Sequence, residues 1–565
     1  MKSVFFMAFV FAVSALPVNP SEASEAKSSF FSLPFSNGYS SAVYDTKERA
    51  ITAFTDMIEW YWSPTRERKN MIRRAYLGIR SGGRTVWLNG VEPDYTEYLN
   101  ESGIVHAHYK DLADCYYFAP FVGGKHTIAL VCDSSAGEVL LHAELLDPKV
   151  KITKSTRGNR TTILLSLEPA DGVSLENEIS FWNDFHSVEP SVDEQYEKLF
   201  RQSTAFLKMG QSSESGAILA GLMPGRWTIC WVRDCCYSIK ALIDSNHPAE
   251  ARRALEFLLN GKADGFEHFY YNGKDYGIGE DYLISVCRYF GDGTEWSDDI
   301  DQQEPEPIEG MKDPNIELDG FGLFLWAANE YTKKSGDTGF VRENAEKLTL
   351  VGENILHSID EKDLIREDSS IWERHLSRVR HYLYTSIVCA EGLRGLAEML
   401  GRVGMDRSEF ERGYDRLKRG INACTDEEGV LKGNTEEKEY YETAVIEAIN
   451  FGLVNESTAR STMRALEREL FNGKGFKRND DGDWYDEQEW VFVDMRAAEA
   501  YLRLGEREKA VMLVDRVNEM SAENFNIIAE LYDENGNYAG QVPMCGYGAG
   551  VFVSAALKLS GGSGL

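Results

Sequence analysis

Residues 369–394 read SSIWERHLSRVRHYLYTSIVCAEGLR, and two kinds of text meet inside them. Up to Tyr384 the stretch crowds basic and aromatic side chains around one carboxylate: Glu373 stands beside Trp372 and is followed by Arg374, His375, Arg378 and His381. From Thr385 onward it is apolar with a helical period. A polar, aromatic approach feeding a buried helix is the unit from which the fold is read.

The same unit recurs along the second half of the chain. From Ser191, SVDEQYEKLFRQSTAFLKMG opens with a serine or aspartate N-cap and carries Tyr196, Leu199 and Phe200 at helical spacing. Further helices are predicted in segments such as WVRDCCYSIKALIDS, HPAEARRALEFLLN, DYLISVCRYF, LDGFGLFLWAANEYTKK, VFVDMRAAEAYLRLG and GYGAGVFVSAALKLS. Their total is near a dozen. Some connections are short (NESTA, LGERE), whereas Gly291 to Leu318 and Asn472 to Glu489 are long, acidic and aromatic. Functional text confined to alternate loops implies an (α/α)6 barrel of six helical hairpins with a site at one end; an open superhelical array gives the same count. Between Phe30 and Pro190 the pattern is instead short alternating runs such as KHTIALVCD and RTTILLSLEP, the text of an antiparallel β-sandwich. The expected class is therefore mainly α with an N-terminal all-β domain. The β-sandwich spans residues 24–190 and the barrel 191–565.

A length of 565 residues calls for two domains or more, and 43% hydrophobic residues suffice for globular cores. The net charge of −31, with no long Lys/Arg cluster to offset it, argues against nucleic acid and anionic membranes as partners. Lys2, the apolar run Val4 to Ala15 and the small residues that follow read as a signal peptide over 1–23, which implies a periplasmic or secreted destination. No later run is long enough to span a bilayer. The nine cysteines form no CxxC pair.

Four constellations carry chemistry. In WTICWVRDCCYSIKAL, Trp227, Trp231, Arg233 and Asp234 suit a sugar: charged groups take hydrogen bonds from vicinal hydroxyls while an indole covers the apolar ring face. A capping Asp with an Arg ion pair reads equally well from this segment alone. At Trp372-Glu373, a carboxylate partly desolvated by an indole would keep its proton to higher pH and serve as a general acid. The acidic run GFKRNDDGDWYDEQEW fails as a calcium loop, since the Gly482 register puts Lys477 at the first ligand position and Gln488 at the last. It leaves Arg478, Trp484, Tyr485 and Trp490 unexplained. In NIIAELYDENGNYAGQVPMCGYGAG, Glu530 emerges from an apolar run into a glycine-rich loop, as a general base or as a helix cap. No HExxH, GxSxG or P-loop occurs, so no metal and no cofactor is assigned and carboxylate chemistry remains.

In this order the four segments resemble glycoside hydrolase family 15, the glucoamylase family, in its prokaryotic two-domain layout. WVRDCCYS is similar to the family's WxRD, which implies that Arg233 and Asp234 hold the terminal glucose. IWERH is similar to LWEE, which implies that Trp372 lines the site and Glu373 is the general acid. KRNDDGDWYDEQEW fits the spacing that places substrate contacts on Arg478 and Trp490, and AELYD is similar to PEQYD, with the general base on Glu530. Three departures bear on specificity. Arg374 replaces the family's second glutamate and is expected to contact substrate beyond the cleavage point, Cys545 replaces a tryptophan, and no indole precedes Leu318. The resemblance implies an inverting exo-hydrolase of α-glucosides, with short oligosaccharides such as maltose or isomaltose favoured. The alternatives are a trehalase-like hydrolase, an inverting phosphorylase and a non-catalytic carbohydrate sensor on the same fold.

Overall fold

A computed structural model describes residues 30–57, 69–225, 227–271, 273–296, 314–437 and 440–561. The leader expected at 1–23 lies outside them. Two six-stranded antiparallel sheets come first. One runs Ser32–Ser36, Ser40–Asp45, Ala50–Asp56, Ile72–Ser81 and Glu138–Leu145 in spatial order, with Arg84–Trp87 also on Ile72–Ser81. The other runs Lys151–Arg157, Arg160–Ser166, Thr127–Asp133, Ala113–Phe118, Val105–Tyr109 and Tyr95–Tyr98. Their inner faces supply Leu33, Tyr44, Phe54, Leu77, Tyr117 and Leu130 to a common core, and Tyr44 of the first sheet stacks on Tyr117 of the second at 4.7 Å. The edge strand Lys151–Arg157 is exposed throughout and basic, which discourages pairing with another chain.

Helical text begins at Leu175, ahead of residue 191. The helix Leu175–His186 leans on the sandwich, its Glu178 accepting the Phe121 N–H at 2.9 Å. Six hairpins follow. Their outer helices are Glu194–Gly210, Pro248–Leu259, Ala345–His357, Ser408–Ala423, Glu456–Glu469 and Arg507–Ala522. Glu456–Glu469 shows why they lie outside: only one stripe, including Ala459, Thr462, Met463 and Leu466, is buried. The inner helices, Val232–Asp244, Asp319–Ser335, Leu383–Arg402, the short Glu447–Asn450, Val491–Arg503 and Val551–Leu559, are buried nearly all round.

Each inner helix packs on the next, and the last returns to the first, so the ring is closed and is not an open array. Closure is tight at Gly546: a Cβ there would meet the Asp234 carbonyl oxygen at 2.1 Å, so only glycine lets the turn Cys545–Gly550 seat on the start of Val232–Asp244.

One predicted helix is absent. DYLISVCRYF is irregular chain with bends up to Cys287 and then a short strand, Arg288–Tyr289, which pairs with Cys230–Trp231 and with Glu295–Trp296. Backbone pairing at the barrel mouth overrides the apolar spacing that suggested a helix. Similar short pairings, Glu489–Trp490 with Leu531–Tyr532 and Glu442 with Asn479, join the other loops that enter the inner helices.

Candidate active site

These loops line a cavity at the N-terminal end of the inner ring. It is lined by Trp231, Arg233, Asp234, Trp372, Glu373, Arg478, Trp490 and Glu530, together with Trp227, Arg288, Trp296, Asp483, Tyr485, Met544 and Tyr547. Side chains spread over 300 residues of sequence meet because each sits in the first turn of an inner helix or on the loop that leads into one, and these loops are held by a rigid scaffold.

Glu373 lies on the approach to a helix that begins only at Leu383. Its φ of +55° and that of Ser370, +50°, are left-handed values that cost non-glycine residues about 1–3 kcal/mol each. The turn is over-determined. Glu373 N donates to Ser370 O at 3.1 Å, Arg374 N to Ser369 O at 2.9 Å, and Ser370 Oγ accepts from Thr385, whose hydroxyl also reaches Asp368. The strain aims the Glu373 carboxylate inward, 3.3 Å from Arg233 Nη2, 3.4 Å from Asn315 Nδ2 and 3.7 Å from Arg288 Nη1. The side chain is 25% exposed and faces two guanidinium groups; it is not sealed against the Trp372 ring as the sequence suggested.

Arg233 and Asp234 divide their work. The Arg233 guanidinium is tied to Glu317 at 2.7 Å and Asp319 at 2.9 Å as well as to Glu373, so it orients the carboxylate. Asp234 is buried, and its Oδ1 has no hydrogen-bond partner among the described residues; nor have Trp231 Nε1 and Tyr547 Oη, all three on the cavity wall. Burial pushes the Asp234 carboxyl up to about 8, against the pull of Arg233. Glu530 is also buried. Its Oε2 accepts the Gln541 N–H at 2.8 Å, and burial raises it to about 7 against that bond, with the charge of Glu373 adding to the rise.

The wall opposite is aromatic. Trp490 meets Trp372 at 5.1 Å and donates its indole N–H to Tyr485 O at 2.8 Å, and the Arg478 guanidinium sits over Trp372, Tyr485 and Trp490 at 5.3–5.4 Å. Arg288 lies over Trp231 at 4.9 Å and Trp296 at 4.2 Å.

Arg374 stands apart. Its side chain is 1% exposed and turned away from the cavity, paired with Asp481 at 2.7 Å, Asp483 at 3.3 Å and Asp486 at 3.4 Å. Asp486 also pairs with Arg478. The expected substrate contact at Arg374 is therefore corrected: the residue is the cation around which the acidic loop 475–490 folds. Cys545 likewise leaves the wall to Met544, its sulfur lying against Phe206 O and Gly210.

No protein-family model matches the chain. A bacterial glucoamylase solved in complex with acarbose superposes with a TM-score of 0.65 over 95% of this chain and 94% of that one, at 11% identity. The chain has the two-domain glucoamylase-like fold. A glycosidase solved as the wild type matches 66% of this chain and 99% of its own, with a TM-score of 0.51 and 15% identity. In sequence, the chain is similar to Trehalase 1 of Sulfolobus acidocaldarius, 24% identical over 337 residues, and to Trehalase 2 of the same organism, 23% over 334. These alignments cover 58% and 56% of this chain, and it spans about half the length of both relatives, 55% and 54%.

Sequence reasoning missed Arg288, hidden in the misassigned helix, as well as Asp483, Gln541 and Tyr547. It also passed over Glu317 and Asp319, two acids flanking Leu318 at the start of an otherwise apolar helix. That pattern is a legible signal, because acids entering a buried helix need a cation, and Arg233 was already in view.

Proposed function

We propose that this chain is an inverting glycoside hydrolase that removes glucose from the non-reducing end of short α-glucosides. One observation carries the reading: Glu373 and Glu530 face one cavity whose wall also presents Asp234 Oδ1, Trp231 Nε1 and Tyr547 Oη, which have no hydrogen-bond partner among the described residues. Buried polar atoms without partners are costly, and a ligand rich in hydroxyls supplies the missing bonds. The indoles of Trp372 and Trp490 offer the apolar faces that a pyranose ring covers.

In this mechanism Glu373 protonates the leaving glycosidic oxygen, and ionised Glu530 takes a proton from the water that attacks the anomeric carbon from the opposite face. Arg233 holds Glu373 and the Gln541 N–H holds Glu530, so neither carboxylate must be oriented during the reaction. Likeness in fold to the acarbose-bound bacterial glucoamylase supports the α-glucoside class.

Trehalose is a second reading, supported by the two trehalases among the sequence relatives. It requires no different site, since each ring of trehalose is an α-glucoside. Initial rates of glucose release from maltose, isomaltose, trehalose, nigerose and soluble starch test both: the disaccharides should exceed starch, and the fastest fixes the linkage. Sugar binding without release from any of them would remove the hydrolase reading and favour a sensor.

A further inference from the structure

The outer face of the second sheet carries a cluster that glycoside chemistry does not use. Strand alternation puts Tyr95, Glu97, His106, His108, Asp114 and Tyr116 on this face, because Val105, Ala107, Cys115 and Tyr117 between them fill the core. Register sets Glu97 opposite His106 and His108 opposite Asp114. Asp114 Oδ1 lies 3.0 Å from His106 Nε2 and 2.7 Å from His108 Nδ1. The rings are clamped: Tyr116 stacks on His106 at 4.6 Å and Tyr95 on His108 at 5.0 Å. His106 is buried, and its other nitrogen, Nδ1, has no hydrogen-bond partner among the described residues; it faces Glu97 Oε1 across 3.5 Å.

We infer that His106, His108 and Asp114 form a binding site for a divalent transition metal of the zinc class, with Glu97 as the carboxylate behind His106. Two imidazole nitrogens with one carboxylate select zinc over calcium or magnesium, which take oxygen ligands. The three donor atoms lie within 4.8 Å of one another. Tetrahedral zinc at about 2.0–2.2 Å from each ligand separates them by about 3.3 Å, so Asp114 Oδ1 draws back from His106 Nε2 and His108 Nδ1 by roughly half an ångström to admit the ion. On binding, each imidazole stays neutral and keeps its one ring proton on the nitrogen turned away from the ion, which for His106 is Nδ1, so the nitrogens that face Asp114 are free to ligate. Asp114, with 37% of its side chain exposed, leaves water access for a fourth ligand. Glu97 accepting from His106 Nδ1 completes a carboxylate–histidine–metal relay that fixes the tautomer. The ion would tie together Tyr95–Tyr98, Val105–Tyr109 and Ala113–Phe118. Another acid–histidine group, Glu367, His381 and Glu436, does not qualify, because the Lys362 ammonium lies 3.3 Å from His381 Nδ1 where a cation would sit.

The test is a Zn²⁺ titration of the full chain after chelator treatment, by calorimetry, with Co²⁺ absorption as a report on geometry. The wild type should bind one equivalent, and the Co²⁺ form should show the visible bands of a four-coordinate nitrogen and oxygen site. His108→Ala and Asp114→Asn should weaken binding at least about tenfold, and Glu97→Gln about tenfold. Asp114→Asn keeps the size and polarity of the side chain, and its unfolding midpoint in chelator serves as the folding control. No zinc bound by the wild type, or equal affinity in the wild type and Asp114→Asn, would overturn the assignment.

Discussion

Glu530 is the residue on which the chemistry turns. Burial holds its carboxyl up to about 7, so below that pH it is protonated and cannot accept a proton from water. As general base it should impose an acid limb: kcat/KM falls tenfold per pH unit below about 7. Glu530→Gln should lose about 10²–10⁴-fold in kcat at its optimum and with it that limb. Retention of the limb in Glu530→Gln would give it to another group, with Asp234, near 8, the first to test. The short motifs made Glu373, Glu530, Asp234 and Trp490 legible as cavity residues, because each sits on the loop entering an inner helix or, for Asp234, in its first turn. They misled at Arg374, since adjacent residues on a strained turn point in opposite directions, and its partners Asp481, Asp483 and Asp486 lie a hundred residues away with no local sign of the pairing.

Among elements, the crossing of Asp319–Ser335 and Leu383–Arg402 matters most, because Glu317 and Asp319 stand at the start of the first and the Glu373 loop feeds the second. The two backbones touch through glycines. A Cβ at Gly392 would meet the Gly322 carbonyl oxygen at 2.6 Å, and one at Gly322 would meet the Val388 carbonyl at 2.4 Å. Backbone cannot step aside as a flexible side chain can, so Gly392→Ala should force the helices apart at a cost of about 1–3 kcal/mol. Thermal unfolding reads the stability loss. Movement of Arg233 relative to Glu373 should lower kcat in the protein that remains folded. Helical periodicity revealed both helices, and it failed at DYLISVCRYF, where a short, mostly apolar stretch satisfies a strand and a helix equally and only pairing with Cys230–Trp231 decides between them.

At the scale of the molecule, closure of the ring was beyond the sequence, since helix number is the same in a ring and an array; packing of the last inner helix on the first settles it. A closed barrel with its loops folded inward buries acids, and this sets the pH response. Burial pushes Glu178, Asp234 and Glu442 up to about 8, and Asp368 and Glu530 to about 7. A group raised in the folded state contributes stability that is whole below its unfolded pKa and is lost as pH climbs through the folded one. Stability should therefore fall between about pH 4.5 and 8. Glu436 and Glu499, held down to about 2 by His381 and Arg496 in spite of burial, act in the opposite sense, losing their contribution as pH drops from about 4.5. Urea midpoints at pH 4.5, 6, 7 and 8 should decline in that order; a rising series would contradict these assignments.

The anomer released in the first turnovers tests the central claim most directly, and proton NMR reads it before mutarotation. Inversion by Glu373 and Glu530 predicts that the glucose freed from the non-reducing end of maltose or isomaltose appears as the β anomer, and that trehalose yields α and β in equal amounts. Glucose released initially as the α anomer from the non-reducing end, with trehalose giving only α, would contradict the account.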